Sequence, residues 1–128
     1  MIYGIGIDIV HIRRIGRVLD RWGIRFLQRV FTEQEIAFCP PDARFTSSLA
    51  LRFAAKEAFS KAIGLGMRKG IRWRDIEIVH NKRGRPDLNL TGKARSFCEK
   101  EGITSWYVSL SDDGDYGIAM VALENQTA

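Results

Sequence analysis

Over the first ten residues the apolar positions alternate. Tyr3, Ile5, Ile7 and Ile9 share one side of an extended chain, and Gly4, Gly6, Asp8 and Val10 share the other, which predicts a strand. The period then lengthens: Ile12, Ile15, Leu19, Trp22 and Phe26 recur every three or four residues, and Arg14, Arg17, Arg21 and Arg25 run beside them as a parallel basic stripe. Gly23 is expected to break this pattern into two short helices. Thr32 followed by Glu35 forms a capping box for a third helix, which Pro40 and Pro41 stop. Residues 47–63 contain no Gly or Pro, open on serines able to cap, and end at Gly64, the residue best suited to a left-handed terminus.

Beyond that helix, Gly64, Gly66 and Gly70 punctuate a basic loop. Ile76 and Ile78, with Trp73 at the start, predict a second strand, NKRGRP a hairpin turn, and residues 87–90 the return strand. Thr91 is expected to cap a further helix closed by Gly102, and residues 105–111 and 116–123 to form a final hairpin across Asp113 and Gly114. The order β, several α, ββ, α, ββ predicts an α+β fold in which helices pack on a small, mainly antiparallel sheet.

The 128 residues suffice for one compact domain, expected to span 1–128, and are too few to suggest two. With 45% hydrophobic residues the chain is not a disordered polymer. No apolar run approaches the ~20 residues that cross a bilayer, and no leader pattern opens the chain, so the expected location is cytoplasmic and no membrane partner is expected. Cys39 and Cys98 are far apart and match neither a disulfide framework nor a thiolate zinc site.

Charge is distributed unevenly. The net charge is +5, and residues 11–30 carry Arg13, Arg14, Arg17, Arg21, Arg25 and Arg29 against Asp20 alone, which is the whole excess. Such a block points to an acidic partner: a nucleic acid, a membrane surface or an acidic protein.

Asp8 is a carboxylate inside an otherwise apolar strand, where it needs a partner or a cation unless it merely caps a nearby turn. Its face also carries two glycines, which suggests that a backbone or a ligand comes close. Glu57 and Lys61 lie four apart on the long helix, the spacing of an ordinary surface ion pair. On a helical wheel, however, Leu51, Ala54, Ala55, Ala58 and Ala62 form one arc with Glu57 and Lys61 at its edge, while Arg52 and Lys56 fall on the other side. If the alanine face meets the glycine face of the first strand, Asp8 and Glu57 converge on one cation. Two carboxylates, a lysine and a glycine-rich basic loop suit phosphoryl-group chemistry with a hydrated magnesium ion. Gly64-Leu65-Gly66 is neither a P-loop nor a dinucleotide fingerprint.

Together, GIGIDIV, FTEQE, RFAAKEAFSKAIG, DIEI, RGRP and VSLSDD occur in this order and resemble the signature of the holo-acyl-carrier-protein synthases, the bacterial 4'-phosphopantetheinyl transferases. The resemblance spans nearly the whole chain. It implies a magnesium-dependent transferase serving fatty acid biosynthesis, a homotrimer with active sites between subunits. The phosphopantetheine arm of coenzyme A would pass to a serine of apo acyl carrier protein. By position it implies Asp8 and Glu57 as magnesium ligands and Lys61 as the lysine beside the pyrophosphate. Arg52, Ser60, Gly64, Arg85 and Pro86 fall where coenzyme A is held, and Arg13, Arg14, Arg17, Arg21 and Arg25 on the surface that docks the carrier. One position departs from the pattern: Asp112 stands where many relatives carry His, so contact with the 3'-phosphate is expected from Arg or Lys elsewhere.

The rival reading is a nucleic-acid module binding phosphates through the arginine helix. It leaves Asp8, Glu57 and the glycine loop without work, and no aromatic platform for stacking bases is visible.

Overall fold

The computed structural model describes residues 1–126. Chain order is β1 (Ile2–His11), α1 (Ile12–Trp22), α2 (Ile24–Val30), α3 (Glu33–Phe38), α4 (Phe45–Ala62), a 3-10 turn (Trp73–Asp75), β2 (Ile76–His80), β3 (Pro86–Leu90), α5 (Gly92–Lys100), β4 (Ile103–Asp113) and β5 (Tyr116–Asn125). The expected α+β arrangement holds, but the strands divide into two antiparallel sheets, β1-β5-β4 and β2-β3. The Trp106 indole N–H links them by donating to the Leu88 carbonyl at 2.9 Å.

Helix α4 is the centre of the molecule. One side lies on the inner face of the three-stranded sheet, where Ala54, Ala55, Ala58 and Ala62 meet Val10, Ala119, Val121 and Leu123 in a single core. The opposite side meets a smaller cluster built from Val30, Phe31, Cys39 and Leu49, with Ile36, Phe53 and Trp73 packed against it.

The contact between β1 and α4 is unusually close. A Cβ on Gly4 would sit 2.0 Å from the Ala62 carbonyl oxygen, and one on Gly6 1.8 Å from that of Ala58. Both obstacles are backbone atoms, so only glycine fits. This leaves the other face of β1 outward, with Ile5, Ile7 and Ile9 55–63% exposed.

Local chemistry explains most of the element ends. Gly23, at φ 54°, separates α1 from α2. Thr32 and Glu35 form the full reciprocal capping box. Gly64 takes φ 78° just past α4, and its N–H donates to the Lys61 carbonyl.

Three expectations are corrected. Helix α4 starts at Phe45, before the serines: Asp42 makes a turn that receives the Arg44 and Phe45 N–H groups, and Ser47 lies inside the first helical turn. Thr91 occupies the cap position of α5 but makes no side-chain cap bond. Trp73 belongs to the 3-10 turn, not to β2.

If the strand-on-helix contact sets the fold, Gly6→Ala must push the strand and helix backbones apart. The variant is expected to lose about 3 kcal/mol or more in urea unfolding; a loss below about 1 kcal/mol would show that the contact yields freely.

Candidate active site

Strand β1 runs past α4 so that Gly4 meets Ala62 and Gly6 meets Ala58. Two residues of strand thus step back about one helical turn, so the next inward residue, Asp8, lies beyond Ala58 along the helix, and the long Lys61 side chain reaches back to it. The Lys61 ammonium donates to Asp8 Oδ1 at 3.0 Å and to the Ile7 carbonyl at 3.0 Å. The Asp8 side chain is 16% exposed and that of Lys61 52%, so the pair sits at a mouth open to solvent. Glu57 completes the cluster. Burial raises its pKa, the negative charge of Asp8 adds to the rise, and Lys61 partly opposes it.

Two carboxylates that repel each other in a half-buried setting would gain from a cation between them. The donor set is all oxygen, and among the described residues there is no cluster of three or more His, Cys, Asp or Glu. An ion held by two carboxylates and completed by waters or phosphate oxygens is the coordination magnesium favours, so the residues fit it.

The remaining coenzyme-site residues spread over a wider area. Ser60 is buried and its hydroxyl donates to the Glu57 carbonyl at 2.7 Å, within its own helix. Gly64 is exposed at the end of α4, one turn beyond Lys61. Arg85 and Pro86 line a separate cleft of about 400 Å³ with Leu51, His80, Gly84 and Ser109. Asp112 is exposed near the end of β4, paired with Gly117.

Arg52 is only 3% exposed, although the helical wheel set it away from the apolar arc. Its guanidinium donates to Ser48 Oγ at 2.7 Å, lies 3.4 Å from His80 Nδ1 and covers the Phe38 ring, leaving its buried Nε without a partner. Phe38 in turn stacks on His80 at 4.4 Å. Burial first, and then the Arg52 charge, lowers the His80 pKa. The roles of Phe38 and His80 here carry no sequence signal, because the cluster joins residues 14 and 28 positions from Arg52.

Arg13, Arg14, Arg17, Arg21 and Arg25 are all exposed on the outer surface. Arg13 pairs with Asp115 at 3.3 Å, and Arg21 lies over the Trp22 ring at 5.2 Å. Between α1 and α2, Val18, Trp22, Arg25, Phe26 and Arg29 line a cleft of about 420 Å³. The basic stripe therefore borders an apolar slot.

Comparison with known proteins finds relatives along nearly the whole chain. The family model of the 4'-phosphopantetheinyl transferase superfamily matches residues 4–121. The chain is 47% identical over 124 residues to the holo-[acyl-carrier-protein] synthase of Geobacter sulfurreducens, covering 97% of this chain and 98% of that one. The crystal structure of the Neisseria meningitidis holo-[acyl-carrier-protein] synthase superposes with a TM-score of 0.89 at 41% identity, covering 98% and 100% of the two chains. That of the Helicobacter pylori synthase, in complex with coenzyme A, gives 0.84 at 35% identity, covering 94% and 99%.

Because the folded state raises the Glu57 pKa, the native chain binds this proton more tightly than the unfolded one. Stability is therefore lost as pH rises through the ordinary glutamate range to the raised value. Glu57→Gln removes that cost, so the metal-free variant is expected to melt about 2 to 5 °C above the parent at about pH 8. The gap should close toward about pH 3, where the glutamate is protonated in both states; a lower melting temperature at the alkaline end would contradict the electrostatic picture.

Proposed function

The chain belongs to the 4'-phosphopantetheinyl transferase superfamily, and from that premise we propose that Asp8, Glu57 and Lys61 form its transfer centre. Its reaction is that of a holo-[acyl-carrier-protein] synthase. A serine oxygen of apo acyl carrier protein bonds to the β-phosphorus of coenzyme A and gives up its proton to Glu57 or to water, the bridging P–O bond breaks, and adenosine 3',5'-bisphosphate leaves. The observation that carries the assignment is the convergence of Lys61 with Asp8 at 3.0 Å, beside a Glu57 that feels the same charge.

Asp8 and Glu57 would hold a magnesium ion, which when bound supplies Lewis-acid polarisation of the pyrophosphate. Lys61 neutralises the charge that grows on the leaving oxygen and can give it a proton, a contribution larger in the transition state than in the ground state. Arg52, Ser60, Gly64, Arg85 and Pro86 form the coenzyme-binding set, Ser60 by holding the helix backbone at Glu57. We place the reaction in the cytoplasm, supplying fatty acid biosynthesis. Among the described residues no helix is long and apolar enough to cross a membrane.

Two surfaces complete the reading. On the outer sheet face, Ile5, Ile7 and Ile9 pair with Ala122, Met120 and Ile118, and Tyr107 adjoins them, an exposed apolar patch without a charged residue at its centre. Such a patch suits burial against other copies of the chain, and a homotrimer is the assembly implied by the family. Assembly also offers a reason why Arg85 and Pro86 line a different cleft from the Asp8 cluster, since a site between subunits would draw the two from different chains. The arginine stripe is the carrier's docking surface, its field reaching roughly 10 Å at 0.1 M salt.

The direct test is to incubate the protein with coenzyme A, magnesium and apo acyl carrier protein and to weigh the carrier by mass spectrometry. A gain of one phosphopantetheine is expected; none would refute the function. In the same assay, reversing Arg14 and Arg17 to Glu should raise the carrier KM about tenfold and leave the coenzyme KM unchanged. If neither charge reversal nor salt alters the carrier KM, docking lies elsewhere.

Assembly is checked by sedimentation. The parent should sediment at three times its 14.5 kDa chain mass, and Ile7→Lys should dissociate it. A parent that sediments as a single chain would refute the trimer.

A further inference from the structure

Helix α4 carries a second charged residue that the transfer centre does not use. Lys56, immediately before Glu57, is fully buried, as is its partner Glu35. Its ammonium donates to Glu35 Oε1 at 2.7 Å, to the Ile76 carbonyl at 2.7 Å and to the Trp73 carbonyl at 3.1 Å, so all three of its donors are used. Glu35 accepts from the Thr32 N–H at 3.0 Å and from the Ile78 N–H at 3.1 Å. The Thr32 hydroxyl donates onward to Glu77 at 2.6 Å, and Asn89 donates to the other Glu77 oxygen at 3.1 Å. Lys56 is thus fastened to α3, the 3-10 turn and β2 at once.

A buried ion pair is weak evidence of a stabilising role, because apolar residues of similar volume often do as well. What it supplies that apolar packing does not is direction. The sheet-facing side of α4 is a run of alanines, Ala54, Ala55, Ala58 and Ala62, which offer few shape features to resist rotation of the helix about its axis. Consecutive helical residues are about 100° apart, so fixing where Lys56 points also fixes where Glu57 points. We propose that Lys56 is a positioning residue for the transfer: its bonds to Glu35, Ile76 and Trp73 set the rotation of α4 that turns Glu57 toward Asp8.

This inference rests on Asp8 and Glu57 being the metal-binding carboxylates, and its test separates the two claims. The variant Lys56→Met/Glu35→Gln removes both charges together and avoids stranding one of them. It is expected to keep the parent's circular dichroism spectrum and cooperative melting. Its kcat should fall about 10- to 100-fold while the coenzyme A KM stays within about twofold, the pattern of a displaced reacting group. Binding of Mn²⁺ alone to the free protein, followed by electron paramagnetic resonance, should weaken about tenfold. A folded variant with parental kcat and parental Mn²⁺ affinity would overturn the proposal. Should the double variant fail to fold, Glu35→Asp, which keeps both charges but draws the carboxylate back by one methylene, should shift both quantities in the same direction, and parental values there would overturn it equally. Failure of the parent itself to transfer phosphopantetheine would refute the function, while the Mn²⁺ comparison would still judge the positioning claim.

Discussion

The distance between β1 and α4 is the constraint on which the rest of the structure depends. Two glycines let a strand lie on the carbonyl oxygens of a helix, where any side chain would stand within 2.0 Å of Ala58 or Ala62. The alanines opposite have the same meaning, since a larger residue at either surface would hold the backbones apart. Because the strand is drawn in so tightly, Asp8 reaches a lysine and a glutamate that an ordinary strand-to-helix spacing would leave out of reach. The same contact leaves three isoleucines outward. A cluster of charged side chains and an exposed apolar face are thus two consequences of one packing choice.

Electrostatics gives α4 two unlike sides. At the open mouth, the Asp8 charge adds to the raised pKa of Glu57 and Lys61 only partly opposes it, an arrangement that would gain from a cation beside the two carboxylates. On the far side, Lys56 and Glu35 are saturated with hydrogen bonds and sealed from water. Imperfectly balanced charge lies on the open side, and hydrogen-bonded, buried charge on the other. The helix therefore acts as a mount, fixed on one side so that the other can bear charge.

Elements governed by local chemistry were legible in the sequence. The alternation of residues 2–10, the break at Gly23, the Thr32/Glu35 box, the stop at Gly64 and both hairpins follow from residues within a few positions of each other. So did the meeting of the glycine and alanine faces, because small residues on two surfaces announce a close contact; the bond from Lys61 to Asp8 is what the structure adds. Features that depend on distant partners were not legible. The helical wheel set Arg52 and Lys56 apart from the buried arc, yet both are buried, because a charged position faces water only when no partner awaits it inside. Glu35 lies 21 residues from Lys56 and was already accounted for as a cap. Nothing local marks it as the acceptor of a buried ammonium. The start of α4 was misplaced for a related reason, since the Asp42 turn competes with the serines for the role of initiator.

The central claim is that one strand-helix contact assembles a two-carboxylate cation site, and anomalous scattering tests it most directly. In crystals grown with Mn²⁺ and coenzyme A, the expected result is an anomalous peak bonded to both Asp8 and Glu57, with Lys61 turned toward the pyrophosphate. A peak bound to only one of the two carboxylates, or located elsewhere while coenzyme A is in place, would contradict it.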